Sequence, residues 1–265
     1  MDQTHWLKQT DRPLFPELEW SRPETRTQAG KLLIIGGNGY EFKAPANAYG
    51  DVLDAGVGAA TVLLPNSMQR VVSDIFPEAQ FAPSTISGSF ASAALAPMLD
   101  LASWGDGVLL PGDISRNSET TVLLEHFLAK YQRQVTLTKD VADLFVQHPL
   151  PVLYRDNTLL VMAMGQLRRL ASEAHYPQAF MSNMGLVQLV DNLCEFTKRF
   201  TPHIITRHQN NYIVAVRGQV STTPTTAETP IWRLATASRA AVWWLQNPAK
   251  PFEALTTAVY EIARS

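Results

Sequence analysis

Cysteine is all but absent. Cys194 stands alone, so no intrachain disulfide can form and no pair of thiolates exists to hold a metal. It sits in Leu189-Val190-Asp191-Asn192-Leu193-Cys194, which reads as a helix, and a buried, inert thiol is the expectation there. Charge is scarce too. Charged residues make up 17 % of the chain, against an ordinary share of about 25 %. The formal net charge is −2, without a cluster of Lys and Arg, which leaves no electrostatic footprint for nucleic acid. No run reaches the roughly 18 uninterrupted apolar residues of a membrane span. The opening Met1-Asp2-Gln3-Thr4-His5-Trp6 lacks the basic start and apolar stretch of a secretory signal, so no membrane partner and a cytoplasmic location are expected. The six histidines show no metal-ligand spacing, so no metal site is expected. Neither a G-x-S-x-G elbow nor a G-x-G-x-x-G or G-x-x-x-x-G-K-[ST] phosphate loop is present.

What the chain does have is apolar residues, 46 % of 265, enough for one large α/β domain. Residues 1–30 are polar and punctuated by Arg12-Pro13, Phe15-Pro16 and Arg22-Pro23, which reads as an arm; residues 31–265 read as a single domain. Apolar runs bounded by turn residues predict strands at 31–35, 59–64, 107–110, 134–138 and 158–162. Helices are predicted at 45–55, 66–75, 89–102, 119–131 and 140–147, and after 162 to about 199. A hairpin follows, His203–Arg207 and Tyr212–Val216 around Gln209-Asn210-Asn211; then an exposed loop at 221–230 and helices at 231–246 and 252–264. Such alternation implies a central, mostly parallel sheet with helices on both faces. In such folds ligands sit beyond the carboxyl ends of the strands, which directs attention to the turns after Ile35, Leu64, Leu110 and Met162. The low charge, the arm and the pair Trp243-Trp244, one packing inward and one against a loop or neighbour, suggest a homo-oligomer.

Gly36-Gly37-Asn38-Gly39 follows the first of these strands. Its glycines either let backbone N–H groups approach an anion or simply make a tight turn under a close-packed helix. Asp54-Ala55-Gly56-Val57-Gly58-Ala59-Ala60 joins a helix to a strand; Gly56 suits a helix C-cap, and small residues let the connection pack closely.

Gly36-Gly37-Asn38, then Lys43-Ala44-Pro45, then Asp54 to Pro65 resemble the ATP- or ADP-dependent NAD(P)H-hydrate dehydratases of the ribokinase-like superfamily. The order of elements is similar from about residue 25 onward, and Pro251-Phe252-Glu253-Ala254 resembles the family's last helix. The resemblance implies a ribokinase-like α/β fold, ATP or ADP with Mg2+ as cofactor, and an NAD(P)H-type substrate. On the dinucleotide side it implies Gly36, Gly37, Asn38, Ala44, Pro45, Gly165 and Gln166; on the nucleotide side, Pro111, Gly112, Thr236, Ala237 and Ser238. Several family groups are replaced. The phosphate turn GPGLG falls on Leu110-Pro111-Gly112-Asp113-Ile114, where Asp113 brings negative charge towards phosphate. The acid of TPHxGE falls on Gln166. The GSGD anion hole falls on Thr236-Ala237-Ser238-Arg239, placing Arg239 at the position of the general base, a role a guanidinium cannot fill at neutral pH.

The resemblance therefore implies a diverged family member with weakened or lost catalysis, a pseudoenzyme that retains a nucleotide or dinucleotide partner. Two alternatives stand beside it. One is an active dehydratase with a relocated carboxylate, from Asp113, Asp140 or Glu228; the other is a different small-molecule kinase.

Overall fold

The computed structural model describes residues 5–226 and 232–264. Among the described residues ten strands form one sheet: β1 (Trp6–Lys8), β2 (Lys31–Ile35), β3 (Ala59–Pro65), β4 (Ala79–Ala82), β5 (Gly107–Leu110), β6 (Gln134–Thr138), β7 (Thr158–Val161), β8 (His203–His208), β9 (Asn211–Val216) and β10 (Gln219–Pro224). Their spatial order is β1-β10-β9-β8-β7-β6-β5-β2-β3-β4. Only β9 runs against its neighbours. The helices are α1 (Pro16–Trp20), α2 (Lys43–Asp54), α3 (Gln69–Val72), α4 (Leu95–Trp104), α5 (Ser118–Lys130), α6 (Lys139–Gln147), α7 (Leu150–Leu153), α8 (Met164–Glu173), α9 (Leu186–Arg199), α10 (Trp232–Gln246) and α11 (Pro251–Arg264).

Side chains alternate across each strand, so β2 sends Leu33 and Ile35 to one face and Leu32 and Ile34 to the other. Two cores result. One lies against α4, α5, α6, α8 and α9; the other against α2, α10 and α11. Burial on both faces is why the inner strands read as continuous apolar runs.

Three expectations are corrected. Residues 221–224 are not an exposed loop but part of β10, with Ser221, Thr222 and Thr223 buried. Their hydroxyl chemistry looks loop-like, yet the Trp6 indole donates to Thr222 Oγ1 at 3.0 Å and Ser221 pairs with Thr256 at 2.7 Å. Of the remainder of that expected loop, residues 227–230 lie outside the described residues. Strand β4 falls in a stretch read as connection. Trp243 and Trp244 both face the interior, 1 % exposed each; the Trp243 indole donates to Glu261, beneath the Arg22 guanidinium.

Gly58 shows why the helix-to-strand junction is made of small residues. A Cβ there would lie 1.8 Å from the Arg26 carbonyl oxygen. Gly56, at φ +86°, reverses the chain after α2.

Candidate functional site

The chain leaves β2 towards β3 and β4 on one side, then returns to β5 on the other side of β2 and continues outward to β6, β7 and β8. The adjacent strands β2 and β5 are thus the switch point of the sheet, where open α/β folds form a crevice at the carboxyl ends. A cleft of about 510 Å³ lies there, lined by Asn38 and Glu41 after β2, Asp113 to Arg116 after β5, Lys139, Asp140 and Asp143 at the start of α6, and Arg233 of α10. A larger hollow of about 580 Å³ runs between α5, α6 and α8, sharing Arg116 and Asp143 with the cleft. It is a helix-to-helix groove away from the strand ends, so the switch-point cleft is the better candidate.

Two carboxylates organise the cleft floor. Asp113 is 8 % exposed and holds a left-handed backbone at φ +60°. Its Oδ2 accepts the Ala44 amide at the N-terminus of α2, at 2.5 Å, and its Oδ1 lies 3.2 Å from Lys139 Nζ. Its own carbonyl accepts the Asn38 side-chain amide at 2.7 Å. Asp140 accepts the backbone amides of Asp113 at 3.0 Å and Ile114 at 2.7 Å. Burial raises the Asp140 carboxyl above its ordinary range, opposed by these amide bonds and by Lys139. Lys139 also has a left-handed backbone, at φ +53°. Two non-glycine residues in that region at one site mark local strain that the surroundings hold in place.

Gln166 is buried at the first turn of α8. Its Oε1 accepts from the Ala163 amide at 3.1 Å and from Arg233 at 2.6 Å; its Nε2 donates to the Lys139 carbonyl at 2.7 Å. An amide, with one acceptor and one donor end, fits this set.

Of the residues expected on the dinucleotide side, Asn38 lines the cleft and Gln166 stands behind it, bonded to Arg233 and Lys139. Gly36 and Gly37 make the tight turn instead. A Cβ on Gly36 would meet the Gly112 carbonyl at 2.7 Å and Pro45 at 2.9 Å, and the Gly36 amide bonds to Leu63. Ala44 and Pro45 are buried, Ala44 contributing its amide to Asp113. Gly165 has open space where a Cβ would be.

Thr236, Ala237 and Ser238 are fully buried inside α10, which has begun by Trp232, so their amides serve the helix. Arg239, on the same helix, lies 3.6 Å from Glu261 of α11 rather than at the cleft. Pro111 and Gly112 are buried, and the amides that follow them already hold Asp140. These residues do not fit a nucleotide phosphate. Among the described residues no group of three or more His, Cys, Asp or Glu is placed to hold a metal ion. Of the relocated carboxylates, Asp113 and Asp140 are both committed to backbone amides, and Glu228 lies outside the described residues.

Lys139, Arg116, Glu41, Asp143 and Arg233 were not among the residues expected from the sequence. For Lys139 the signal was present: it immediately follows the strand ending at Thr138, a fifth carboxyl end beside the four turns considered. Also among the described residues, no helix is long and apolar enough to cross a membrane.

No protein-family model matches the sequence, and no curated protein matches it. Solved structures do. A ribokinase-like superfamily protein from Enterococcus faecalis superposes with a TM-score of 0.75 at 16 % identity, over 98 % of this chain and 87 % of its own. The fold is therefore ribokinase-like: a mostly parallel sheet between two helical layers. Within that fold, the ADP/ATP-dependent NAD(P)H-hydrate dehydratase from Bacillus subtilis, co-crystallised with ATP and Mg2+, gives a TM-score of 0.65 at 14 % identity over 97 % of this chain and 89 % of its own. A phosphomethylpyrimidine kinase from Clostridium difficile gives 0.54 at 9 % identity, covering 89 % of this chain and 99 % of its own. At such identities the likeness is one of fold.

Proposed function

We propose that this chain is a diverged relative of the NAD(P)H-hydrate dehydratases that binds a nucleoside- or nucleotide-type molecule in the switch-point cleft and has lost ATP- or ADP-driven dehydration. The start of α10 carries the reading. Dehydration through phosphoryl transfer needs a base to take the hydroxyl proton and oriented donors for the developing phosphate charge. Among the described residues of the first turns of α10 there is no carboxylate. Arg233 stands there, its guanidinium directed to Gln166. The cleft itself supports binding: Asn38, Arg116 and Arg233 offer side-chain donors, and Glu41 an acceptor, around an open volume. Assembly as a homo-oligomer in the cytoplasm belongs to the same proposal, supported by the low charge and by the exposed Trp20, Tyr40 and Ile86.

Calorimetric titration with NADH, ATP and nicotinamide riboside tests the binding half. Saturable binding of at least one of them, weakened about tenfold or more by Arg233→Ala, supports the reading. Absence of saturable binding for all three overturns it.

A further inference from the structure

The floor of the cleft contains two places built to receive an anion, and the chain fills both itself. The first is the turn after β5. Gly112 at φ +122° and Asp113 at φ +60° curl the backbone so that the successive amides of Asp113 and Ile114 converge on one point. Asp140 occupies that point with both carboxylate oxygens. The fit is close: a Cβ on Gly112 would lie 2.6 Å from Asp140 Oδ1, so the glycine is what lets the carboxylate in. The second place combines the amide of Ala44, at the N-terminus of the 12-residue helix α2, with the Lys139 ammonium. Asp113 occupies it and is almost entirely buried in doing so. Amides at a helix start and a lysine are the donors that otherwise attract phosphate. Here an incoming phosphate meets two carboxylates at contact range, and like charges at that distance repel strongly in a partly dry site.

We propose that Asp113 and Asp140 stand in for a ligand's phosphate, so that Asp113 is a specificity-determining residue: the cleft floor accepts the uncharged or cationic end of a ligand, such as sugar hydroxyls or an amine, and refuses a phosphate there. The inference rests on the reading of the cleft as the binding site and narrows its ligand.

Inorganic pyrophosphate is the probe, followed by equilibrium dialysis against the full chain. Asp113→Asn removes the charge, keeps an oxygen for the Ala44 amide and tolerates the left-handed backbone. It is expected to bind pyrophosphate at least about tenfold more tightly than the native chain, and Lys139→Ala added to it is expected to cancel the gain. If Asp113→Asn does not fold, judged by near-ultraviolet circular dichroism, Asp113→Gly is read the same way, because glycine suits φ +60°. Two results overturn the proposal: a native chain that binds pyrophosphate as tightly as the variant, or a folded variant that gains nothing. A native chain that binds both NADH and pyrophosphate refutes this inference and leaves the cleft reading intact. A chain that binds no nucleoside or nucleotide refutes the cleft reading whatever pyrophosphate does.

Discussion

Arg155→Ala should destabilise the fold more than most single substitutions. Arg155 is 7 % exposed. Its guanidinium fork donates to the carbonyls of Leu128 at 3.2 Å, Tyr131, Arg133 at 2.7 Å, Asp156 at 2.9 Å and Asn157 at 3.1 Å, and to Thr158 Oγ1 at 3.0 Å. These carbonyls close the C-terminus of α5, the approach to β6 and the entry to β7, so one side chain ties together the elements that carry Asp113, Lys139 and Gln166 at their far ends. Burial pushes the Arg155 pKa down to about 10, which leaves it charged at neutral pH. Truncation leaves several buried carbonyls without donors, at about 1–3 kcal/mol for each that water does not reach. It also removes a cation from a helix C-terminus, worth up to about 2 kcal/mol. Since Arg133, Asp156 and Asn157 are near solvent, we expect a total loss of about 3–5 kcal/mol, or about 6–20 °C in Tm for a chain of this size. Arg155→Lys keeps the charge but not the planar fork and should recover less than half of this. Urea unfolding followed by tryptophan fluorescence measures it. A loss below about 1 kcal/mol at unchanged m-value would refute the assignment.

Two further predictions concern His203 and Arg239. Burial, reinforced by Arg217, lowers the His203 pKa from 6.5 to about 4, its ring packing edge-on to Trp244 at 4.9 Å. The folded state then binds fewer protons than the unfolded state, so stability is lost as pH falls from about 6.5 towards 4, by about 3 kcal/mol at most; urea titrations at several pH values should show His203→Phe reducing this acid sensitivity relative to the native chain. Arg239→Asp combined with Thr236→Gly, Ala237→Ser and Ser238→Gly writes the family motif onto α10: it sets a carboxylate beside Glu261 and glycines inside the helix, so lower Tm and no gain of nucleotide binding are expected by thermal shift.

The parallel core was legible because strands buried on both faces are written as apolar runs, as in Lys31–Ile35 and Gly107–Leu110. β10 was not, because Ser221, Thr222 and Thr223 take a loop composition into the sheet, where the Thr222 and Ser221 hydroxyls meet Trp6 and Thr256, residues far away in sequence. At the site, Asn38 was visible from the glycine turn. The change of Asp113 from liability to cap was not, because its partners Ala44 and Lys139 lie 69 and 26 residues away. Thr236 and Ser238 look like helix-start residues, yet both are buried within α10, and Arg233 is the arginine that reaches the cleft.

The proposed function is a ribokinase-like fold without the dehydration. Its most direct test is the rise in nicotinamide absorbance when purified protein is mixed with hydrated NADH, Mg2+ and either ATP or ADP, beside the Bacillus subtilis enzyme under the same conditions. Loss of a general base typically removes about 10²–10⁴-fold, and loss of oriented anion donors about 10²–10³-fold, so the account predicts a rate at the uncatalysed background. A nucleotide-dependent rate within about tenfold of the Bacillus subtilis enzyme would contradict it and return a catalytic carboxylate to the cleft.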